Sequence, residues 1–439
     1  MRLDKALFKA SLALITLCVT VGSTSAVHAT DLYNPSPTNA IELRNPAAGQ
    51  KKITARDKDY TPLGIHSGGF FYYPAVEIGA RYNDNVFYLP DDLAESDYIA
   101  NLRGSLSMNS NWSRHEFNLL GSADLGYYQE YDNEDYKDYV LAADGRYDVL
   151  RGSFATARAG YMKLHESRSS LDNRFGTTPT KYDYSYLGAG YDHQPAKFRT
   201  LFTFDYGKLD YDNVTNIFGQ KVDNHDRDRT RPEAILRLGY EYMQGRRLFI
   251  QGAVNKVDYD QKVDNSGQER SSKGYKVTSG INFNLTNLLV GDVFIGYVNQ
   301  NYDDPDFSDI SDPLVGFHLT WMPTGLTTFD LNLDRKPQET TEPTASGYLS
   351  TIFSVRVEHE LKRNIILFGI GGYTENKYEQ NVQGLKEKEN ITDVGLGGKY
   401  LFSRRFYASA DYRYQRRRSD IATQEYNDNQ VMLALGANW

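Results

Sequence analysis

From Tyr72 to the end of the chain, apolar and polar residues alternate with a period of two. In the first segment one face is apolar or aromatic: Val76, Ile78, Ala80 and Tyr82. The opposite face is small or polar: Glu77, Gly79, Arg81 and Asn83. Successive side chains of a strand point to opposite faces, so this period predicts β-strands. Runs of about 10–13 residues are too long for average soluble strands, and they match tilted membrane-spanning strands of about 9–11 residues.

The connections between these segments alternate between short and long. Short turns are expected near residues 109–115, 150–152, 193–197, 243–247, 286–289, 322–325, 359–364 and 402–405. Long polar loops are expected near residues 84–96, 129–137, 164–181, 208–228, 260–273, 301–312, 335–346, 379–389 and 416–426. Eight short and nine long connections imply about eighteen strands, in a range of 16–18, with both chain ends on the side of the short turns. Short periplasmic turns with longer outer loops are typical of outer-membrane barrels.

The pattern therefore predicts an all-β fold, a transmembrane antiparallel up-and-down β-barrel over residues 70–439. A soluble β-sandwich would explain the alternation, but not long strands with alternating loop lengths. Composition agrees with the barrel, because the chain has 34 Tyr and 36 Gly and a mean hydropathy of -0.59. No internal apolar run approaches the roughly 18–20 residues of a spanning helix. The net charge of -8 argues against a nucleic-acid partner, which would require a basic surface.

The N-terminal part of the chain differs from the rest. Residues 1–29 have a basic start, a short apolar run and small residues before Ala29, which predicts a secretory signal peptide. Cys18 is the single cysteine and lies in that segment, so we expect the mature chain to have no disulfide or thiol site. Residues 30–69 contain several prolines and no sustained period, which indicates a flexible periplasmic extension.

The alternation also predicts which side chains face the lumen. Because an Arg or Lys facing the middle of the bilayer costs about 2–4 kcal/mol, the apolar face must point outward and the charged face inward. The predicted pore-lining residues are Glu77, Arg81, Arg103, Asp124, Asp144, Arg146, Arg158, Arg199, Asp205, Arg231, Glu233, Arg237, Glu241, Asp292, Asp330, Asp334, Arg356, Asp411 and Arg413. Tyrosines near strand ends are expected to form interfacial girdles: Tyr127, Tyr147, Tyr161, Tyr191, Tyr206, Tyr259, Tyr297 and Tyr400.

A barrel of this size encloses more room than side chains fill, so an aqueous lumen is expected unless something plugs it. Many of its charges should simply pair across neighbouring strands and hold the wall. The arginines also offer fixed hydrogen-bond donors to carboxylated or hydroxylated sugars. Tyr184 and Tyr186 share one strand face and would stack on sugar rings if that face is inward.

The sequence gives no sign of catalysis or of a metal site. His359-Glu360 would need a second histidine three residues later to form a zinc-protease motif, but Arg363 stands there. The acidic stretch 303–312 lacks the glycine and terminal glutamate of an EF-hand, so a solvated loop is favoured over a calcium site. We therefore expect no enzyme activity, no cofactor and no bound metal.

Motifs near the start of the barrel resemble a known family. They are Tyr73-Pro74 through Asn83-Asp84-Asn85-Val86-Phe87, Ser96-Asp97-Tyr98, Asn111-Trp112-Ser113-Arg114-His115, Glu134-Asp135-Tyr136 and Asp138-Tyr139. Over about residues 70–439 the chain resembles the putative β-barrel porin family of bacterial outer-membrane proteins, often associated with capsular or exopolysaccharide gene clusters. The resemblance implies polysaccharide export with periplasmic or outer-membrane export components as partners. It supplies no map of site residues.

These observations lead to one hypothesis and two alternatives. The hypothesis is a polar conduit in the outer membrane for export of an exopolysaccharide. The alternatives are a passive diffusion porin for small hydrophilic solutes, and a surface barrel that anchors a biofilm by binding sugars or cations through acidic loops. Outer-membrane lipid and lipopolysaccharide would surround the barrel. The terminal Trp439 resembles the signal that barrel-assembly machinery reads, although it could simply anchor the last strand at the interface.

Overall fold

The computed structural model describes residues 60–439, apart from residues 175, 287, 344 and 381–386 and the side chain of Gln380. The predicted signal peptide, 1–29, and residues 30–59 of the predicted extension lie outside the described residues. Within the described part of the chain, no helix is long and apolar enough to cross a membrane.

Eighteen long strands form one closed sheet in the described residues. They are β2 (Phe70–Asn83), β3 (Asp97–Ser110), β4 (Glu116–Tyr128), β5 (Tyr136–Leu150), β6 (Ser153–His165), β7 (Lys181–His193), β8 (Phe198–Tyr211), β11 (Arg229–Met243), β12 (Arg246–Tyr259), β13 (Ser272–Leu285), β14 (Leu289–Tyr302), β15 (Ile310–Thr324), β16 (Thr327–Glu339), β17 (Ala345–Lys362), β18 (Ile365–Gln380), β19 (Lys388–Leu401), β20 (Phe406–Ser419) and β21 (Tyr426–Asn438). Three short strands accompany them: β1 (Ile65–Ser67), β9 (Val214–Thr215) and β10 (Lys221–Val222).

The sheet is antiparallel throughout and closes on itself. Neighbouring long strands pair in chain order, and β2 also pairs with β21 from Ala75↔Asn438 to Asn83↔Gln430. The predicted closed antiparallel barrel of eighteen strands is therefore confirmed, and its connections alternate between short and long as expected. The strands run further into the long-loop side than predicted, since β8 continues to Tyr211 and β17 already begins at Ala345.

The short turns use residues suited to tight reversals. The connections at 151–152 and 244–245 have two residues each, and their second residues are Gly152, with φ 75°, and Gly245, with φ 73°. Glycine adopts positive φ without a Cβ clash, so it fits two-residue hairpin turns. These turns and the C-terminus lie at the same end of the barrel, which we call the short-turn end.

Apolar side chains cover the outside of the cylinder. On β2 the large apolar residues Val76 and Ile78 are exposed, whereas Glu77 between them is buried and faces inward. The same alternation exposes Leu433 and Leu435 on β21. Because outward side chains alternate with inward ones along every barrel strand, the lipid-facing and lumen-facing sets follow directly from this parity.

One seam of the wall is only partly closed. β15 and β16 pair from Thr324↔Thr327 to Phe317↔Leu333, and the described residues show no further ladder between them. Pro313 and Pro337 lie in the separated parts of the two strands, where the missing N–H of proline is tolerated. Beyond the seam, the hairpin of β16 and β17 packs inward, and Leu349 of β17 contacts Tyr302 and Ile310.

The described residues before the barrel, 60–69, contact its short-turn end. β1 pairs with the start of β2, from Ile65↔Tyr72 to Ser67↔Phe70, beside the part of β2 that extends past the end of β21. The ring of Tyr60 packs against Ile366, Leu401 and Tyr407. Tyr407 faces inward, so residue 60 reaches the short-turn mouth of the lumen.

Candidate functional site

Charged side chains fill the inward faces of the strands, and many of them pair between neighbouring strands. Arg103 on β3 donates from Nε to Oδ2 of Asp124 at 3.0 Å and from Nη1 to Oε1 of Glu77 at 3.2 Å. The hydroxyl of Tyr407 donates to the other oxygen of Glu77 at 2.8 Å. This group links four strands through the lumen side of the wall.

Further predicted arginines are held in the same way. Nε of Arg158 donates to Asp205 at 2.9 Å, and Arg146 pairs with Glu116 at 3.0 Å near the short-turn end. Arg237 has an uncharged acceptor instead, since its Nε donates to Oε1 of Gln251 at 2.6 Å.

Two arginines pair with carboxylates that were not predicted. Nε of Arg199 donates to Asp192 at 2.9 Å, and Nε of Arg413 donates to Asp393 at 2.9 Å. Both aspartates are buried on inward faces. Strand parity could have found Asp192, because it follows the outward Tyr191.

Several of the predicted carboxylates also have local partners. His318 lies between Asp292, at 3.4 Å, and Asp334, at 3.0 Å. The hydroxyl of Thr320 donates to Asp330 at 2.8 Å. Asp144 accepts from Asn118 at 2.9 Å, and Glu241 pairs with Arg247 at 3.5 Å.

All the predicted pore-lining residues thus lie on the strand face opposite the exposed apolar side chains, including Arg231, Glu233 and Arg356. The structure brings them together as a ring of charges around the lumen. Their use in transport stays a prediction.

A connection that was expected to be an outer loop enters the barrel instead. Residues 166–180, the inward segment, join β6 to β7. Leu171 packs against Ala345, Tyr348 and Tyr378, which belong to β17 and β18 on the opposite wall. The segment therefore crosses the lumen, which the sequence did not predict.

Hydrogen bonds fix the inward segment at its far end. The buried Asp172 accepts from the backbone N–H of Thr341 at 2.6 Å and from the hydroxyls of Thr340 and Thr341 at 3.0 Å each. Nearer its start, Arg168 makes a bidentate pair with Glu134 at 2.6 and 2.8 Å. Paired guanidinium and carboxylate groups of this kind have restricted geometry and hold their segments in place.

The long loops on one side of the barrel bind one another above the lumen. The buried Arg270 donates from Nη1 to the carbonyl oxygens of Thr340 and Ala345, at 2.8 and 3.1 Å. Its Nε donates to Asp264 at 2.6 Å. Burial acts to raise the pKa of Asp264, but the Gln268 N–H and the Arg270 guanidinium outweigh it, so this pKa lies below its usual value.

The inward segment divides the lumen unequally. On the side of β8 and β11–β16, inward residues near the long-loop end are buried, among them Leu209, Tyr211, Arg229, Tyr302 and Glu339. On the other side, a cavity of about 410 Å³ lies between the segment and the wall formed by β2–β7 and β17–β21. Near the long-loop end the open part of the lumen is therefore eccentric, and Arg81, Arg103, Asp124, Asp411 and Arg413 line it.

Comparison with known families places the chain. Residues 57–438 match the model of the family described as "Putative beta-barrel porin 2". The chain belongs to this family. It is a porin-type β-barrel of the bacterial outer membrane, and in such barrels the short turns are typically periplasmic and the longer loops external.

Solved structures similar to this porin-family barrel include three from other bacteria. The BenF-like porin from Pseudomonas fluorescens Pf-5 is 9% identical over 84% of this chain and 99% of that chain, with a TM-score of 0.45. OccAB3 from Acinetobacter baumannii is 12% identical over 84% of this chain and 99% of that chain, with a TM-score of 0.44. The siderophore receptor PirA from Pseudomonas aeruginosa is 9% identical over 83% and 80%, with a TM-score of 0.42. A search of curated proteins found no match.

The tyrosines that were predicted to stack on sugars or to form interfacial girdles lie partly inside and partly outside the barrel. Tyr184 and Tyr186 face inward and stack at 5.8 Å, but Tyr184 is buried against Tyr182 and Leu209, so packing occupies its ring. The expectation that Tyr259 lies in an interfacial girdle is wrong, because its hydroxyl donates to Glu339 at 3.2 Å inside the barrel. The other predicted girdle tyrosines are exposed on the outside: Tyr127, Tyr147, Tyr161, Tyr191, Tyr206, Tyr297 and Tyr400.

Proposed function

We propose that this porin-family barrel is the outer-membrane conduit for export of an exopolysaccharide. The observation that carries the proposal is the eccentric lumen. Its open side is lined by guanidinium, carboxylate and phenol groups, which suit a hydroxyl-rich chain that makes many hydrogen bonds. The inward segment and the external loops that Arg270 joins by hydrogen bonds narrow the path through this lumen.

The narrowed path favours export over passive diffusion. A general diffusion porin needs an aqueous passage that is always open, whereas here the inward segment crosses the lumen and contacts the opposite wall. A conduit that opens only while a polymer is delivered from the periplasm would keep small solutes from leaking in. A separate periplasmic export component would supply the polymer at the short-turn mouth.

The surface-anchor alternative has less support. The acidic stretch near residue 304 is occupied by its own chain, since Asp304 accepts from the N–H of Glu269 at 2.8 Å and Asp309 accepts from Asn301. These carboxylates therefore already have partners within the described residues.

Deletion of the gene tests the proposal. Cells without the protein should lose surface polysaccharide and retain polymer or its precursors in the periplasm, and a plasmid copy should restore export. Unchanged surface polysaccharide in the deletion strain would contradict the proposal. The purified barrel should show low conductance in planar bilayers, and a large steady conductance with broad solute flux would favour the passive porin instead.

A further inference from the structure

The open side of the lumen contains a cavity with the size of a ligand site. Its volume is about 410 Å³, within the roughly 300–1,000 Å³ of typical small-molecule pockets. The cavity lies between the wall strands and residues 167–171 of the inward segment. A polymer that passes along the open side would therefore have to traverse it.

Three residues that line this cavity each carry a polar atom without a hydrogen-bond partner within the described part of the chain. The atoms are Nε of Arg81, Oδ1 of Asp124 and Oδ1 of Asp411, and all three atoms are buried. A buried polar atom without a partner costs free energy, so such atoms are few in native structures and call for a bound group that satisfies them. Here the residues that carry one donor and two acceptors surround a single cavity.

The other charges around the cavity are already balanced. Arg103 binds Asp124 through its second oxygen, and Arg413 binds Asp393. Arg168 binds Glu134. A ligand would therefore meet the incompletely hydrogen-bonded side chains of Arg81, Asp124 and Asp411 rather than a net positive pocket.

Aromatic rings complete the lining around Arg81. Tyr88, Tyr128 and Tyr136 line the same cavity as Arg81. The hydroxyl of Tyr136 is 3.4 Å from Nη2 of Arg81 and accepts from Asn101 at 2.9 Å.

Tyr88 lines the cavity although its backbone conformation is energetically unfavourable. Its φ is 53°, in the left-handed region that a bulky residue rarely adopts. Asn85 fixes the turn, because its Oδ1 accepts from the N–H of Leu89 at 2.9 Å. The ring then packs edge-on against Tyr426 at 5.1 Å, and the hydroxyl accepts from Gln430 at 3.2 Å. Strain of this kind is typical of sites where a side chain must take one position.

We propose that this cavity binds a neutral, hydroxyl-rich sugar residue of the exported polymer. The inference rests on the proposed function and deepens it by naming the substrate class at one place on the path. A hydroxyl group both donates and accepts, so adjacent sugar hydroxyls can satisfy Arg81 and the two aspartates together. The carboxylate of an acidic sugar would instead approach Asp124 and Asp411, and like charges at close range repel.

Binding to the folded barrel in detergent tests the proposal. The probes are neutral trisaccharides of glucose, mannose, galactose and N-acetylglucosamine, together with trigalacturonate as the acidic probe, and calorimetry measures their affinity. At least one neutral trisaccharide should bind, and trigalacturonate should bind at least about tenfold more weakly. Binding of none of the neutral probes, or tighter binding of trigalacturonate, would overturn the proposal.

Variants locate the binding in the cavity. Asp411→Asn and Arg81→Met should each weaken binding of the neutral probe by about tenfold or more. The control is Arg335→Met, which removes an arginine that pairs with Asp312 outside the cavity and should leave the affinity unchanged. Heat-dependent mobility on gels verifies folding, and the isosteric Asp411→Asn still tests the site if Arg81→Met fails to fold. Equal affinities in all three variants would show that the sugar binds elsewhere.

The two proposals fail in different ways. If the deletion strain exports normally but the barrel binds neutral sugar through Arg81 and Asp411, the proposed export function is wrong and the proposed sugar site is supported. If export depends on the gene but the purified barrel binds no neutral sugar, the proposed sugar site is wrong and the proposed export function is supported.

Discussion

Arg227 is among the most deeply buried charged residues outside the strands. It makes two hydrogen bonds to Glu166, at 2.7 and 3.1 Å, and its guanidinium lies 4.0 Å from the ring centre of Tyr211. Both partners of the ion pair are nearly inaccessible to water. The pair therefore connects the external loop 212–228 to the start of the inward segment.

Breaking this pair should destabilise the barrel strongly. Arg227→Met leaves the Glu166 carboxylate buried without its main partner, so the free energy of unfolding should fall by about 3–5 kcal/mol. Adding Glu166→Gln should recover part of the loss, as measured by urea unfolding in a double-mutant cycle. Arg418→Met is the matched control, because that arginine is exposed and pairs with Glu425, and its effect should stay below about 1 kcal/mol. Equal losses for both arginine variants would contradict the assignment.

A second residue-scale prediction concerns pH. Burial, with the nearby carboxylates Glu389 and Glu342, raises the pKa of Glu387 to about 7. Glu387 therefore holds a proton in its buried position that it loses near its ordinary pKa of 4.5 once it is exposed. The buried position of Glu387 is thus favoured at low pH, and this preference weakens as pH rises from 4.5 to 7.

Amide exchange at Tyr378 reports this change, because its N–H donates to the Glu387 carbonyl at 3.1 Å. After correction for the intrinsic rate, protection at Tyr378 should fall between pH 5 and pH 7.5. Glu387→Gln should remove most of that dependence. If protection in the variant falls as steeply as in the original protein, Glu387 is not the responsible group.

At the residue scale, the sequence predicted the direction in which a side chain faces better than the residues that it contacts. Strand parity places Arg103, Asp205 and Asp411 inward because outward charge is costly in lipid. It also gives Tyr259 as inward, since Leu248, Ile250 and Val254 on the same strand face outward, although proximity to a strand end suggested a girdle. Which arginine keeps an unsatisfied nitrogen depends on distances across several strands, and no local pattern carries that information.

Among the elements, the inward segment controls how wide the lumen is. Removing residues 168–173 deletes both the Arg168–Glu134 pair and the Asp172 contacts to Thr340 and Thr341. Without these contacts the rest of the segment should leave the lumen, so single-channel conductance in planar bilayers should rise several-fold.

The hairpin of β9 and β10 provides the control. Its tip holds Ile217 and Phe218, each 78% exposed, so removing residues 216–219 shortens a connection without opening the lumen. Conductance should then stay at the original value. If both deletions raise conductance equally, the inward segment is not the constriction.

The position of this segment was beyond sequence reasoning for a physical reason. Residues 166–180 are mostly polar and rich in Ser, Thr and Arg, as an external loop would be. Their inward course depends on acceptors and donors supplied from far along the chain, such as Thr340 and Arg227. The strands, by contrast, were predictable because lipid imposes one strict alternation on each of them.

The whole molecule has a defined orientation that can be measured. An epitope inserted between Ile217 and Phe218 should bind antibody on intact cells, because the hairpin tip projects from the long-loop end. The same epitope after Gly325, in the turn between β15 and β16, should be reached only after the outer membrane is permeabilised. Labelling of both positions on intact cells would contradict the orientation.

The closed cylinder itself followed from counting connections, since an even strand number and alternating loop lengths leave few other topologies. The count did not show how firmly each strand is joined to the next. β15 and β16 share a ladder only as far as Phe317↔Leu333, whereas β13 and β14 pair along their full length, from Ser272↔Tyr302 to Leu285↔Leu289.

That unequal joining gives the cylinder a mechanically weak line. Under load or on warming, the two strands need to lose fewer mutual hydrogen bonds than any fully laddered pair before they part. A cut of the polypeptide between Thr324 and Thr327 would thus separate two fragments at the strand pair that shares a short ladder of hydrogen bonds. The longer, N-terminal fragment would contain most of the strands of the wall.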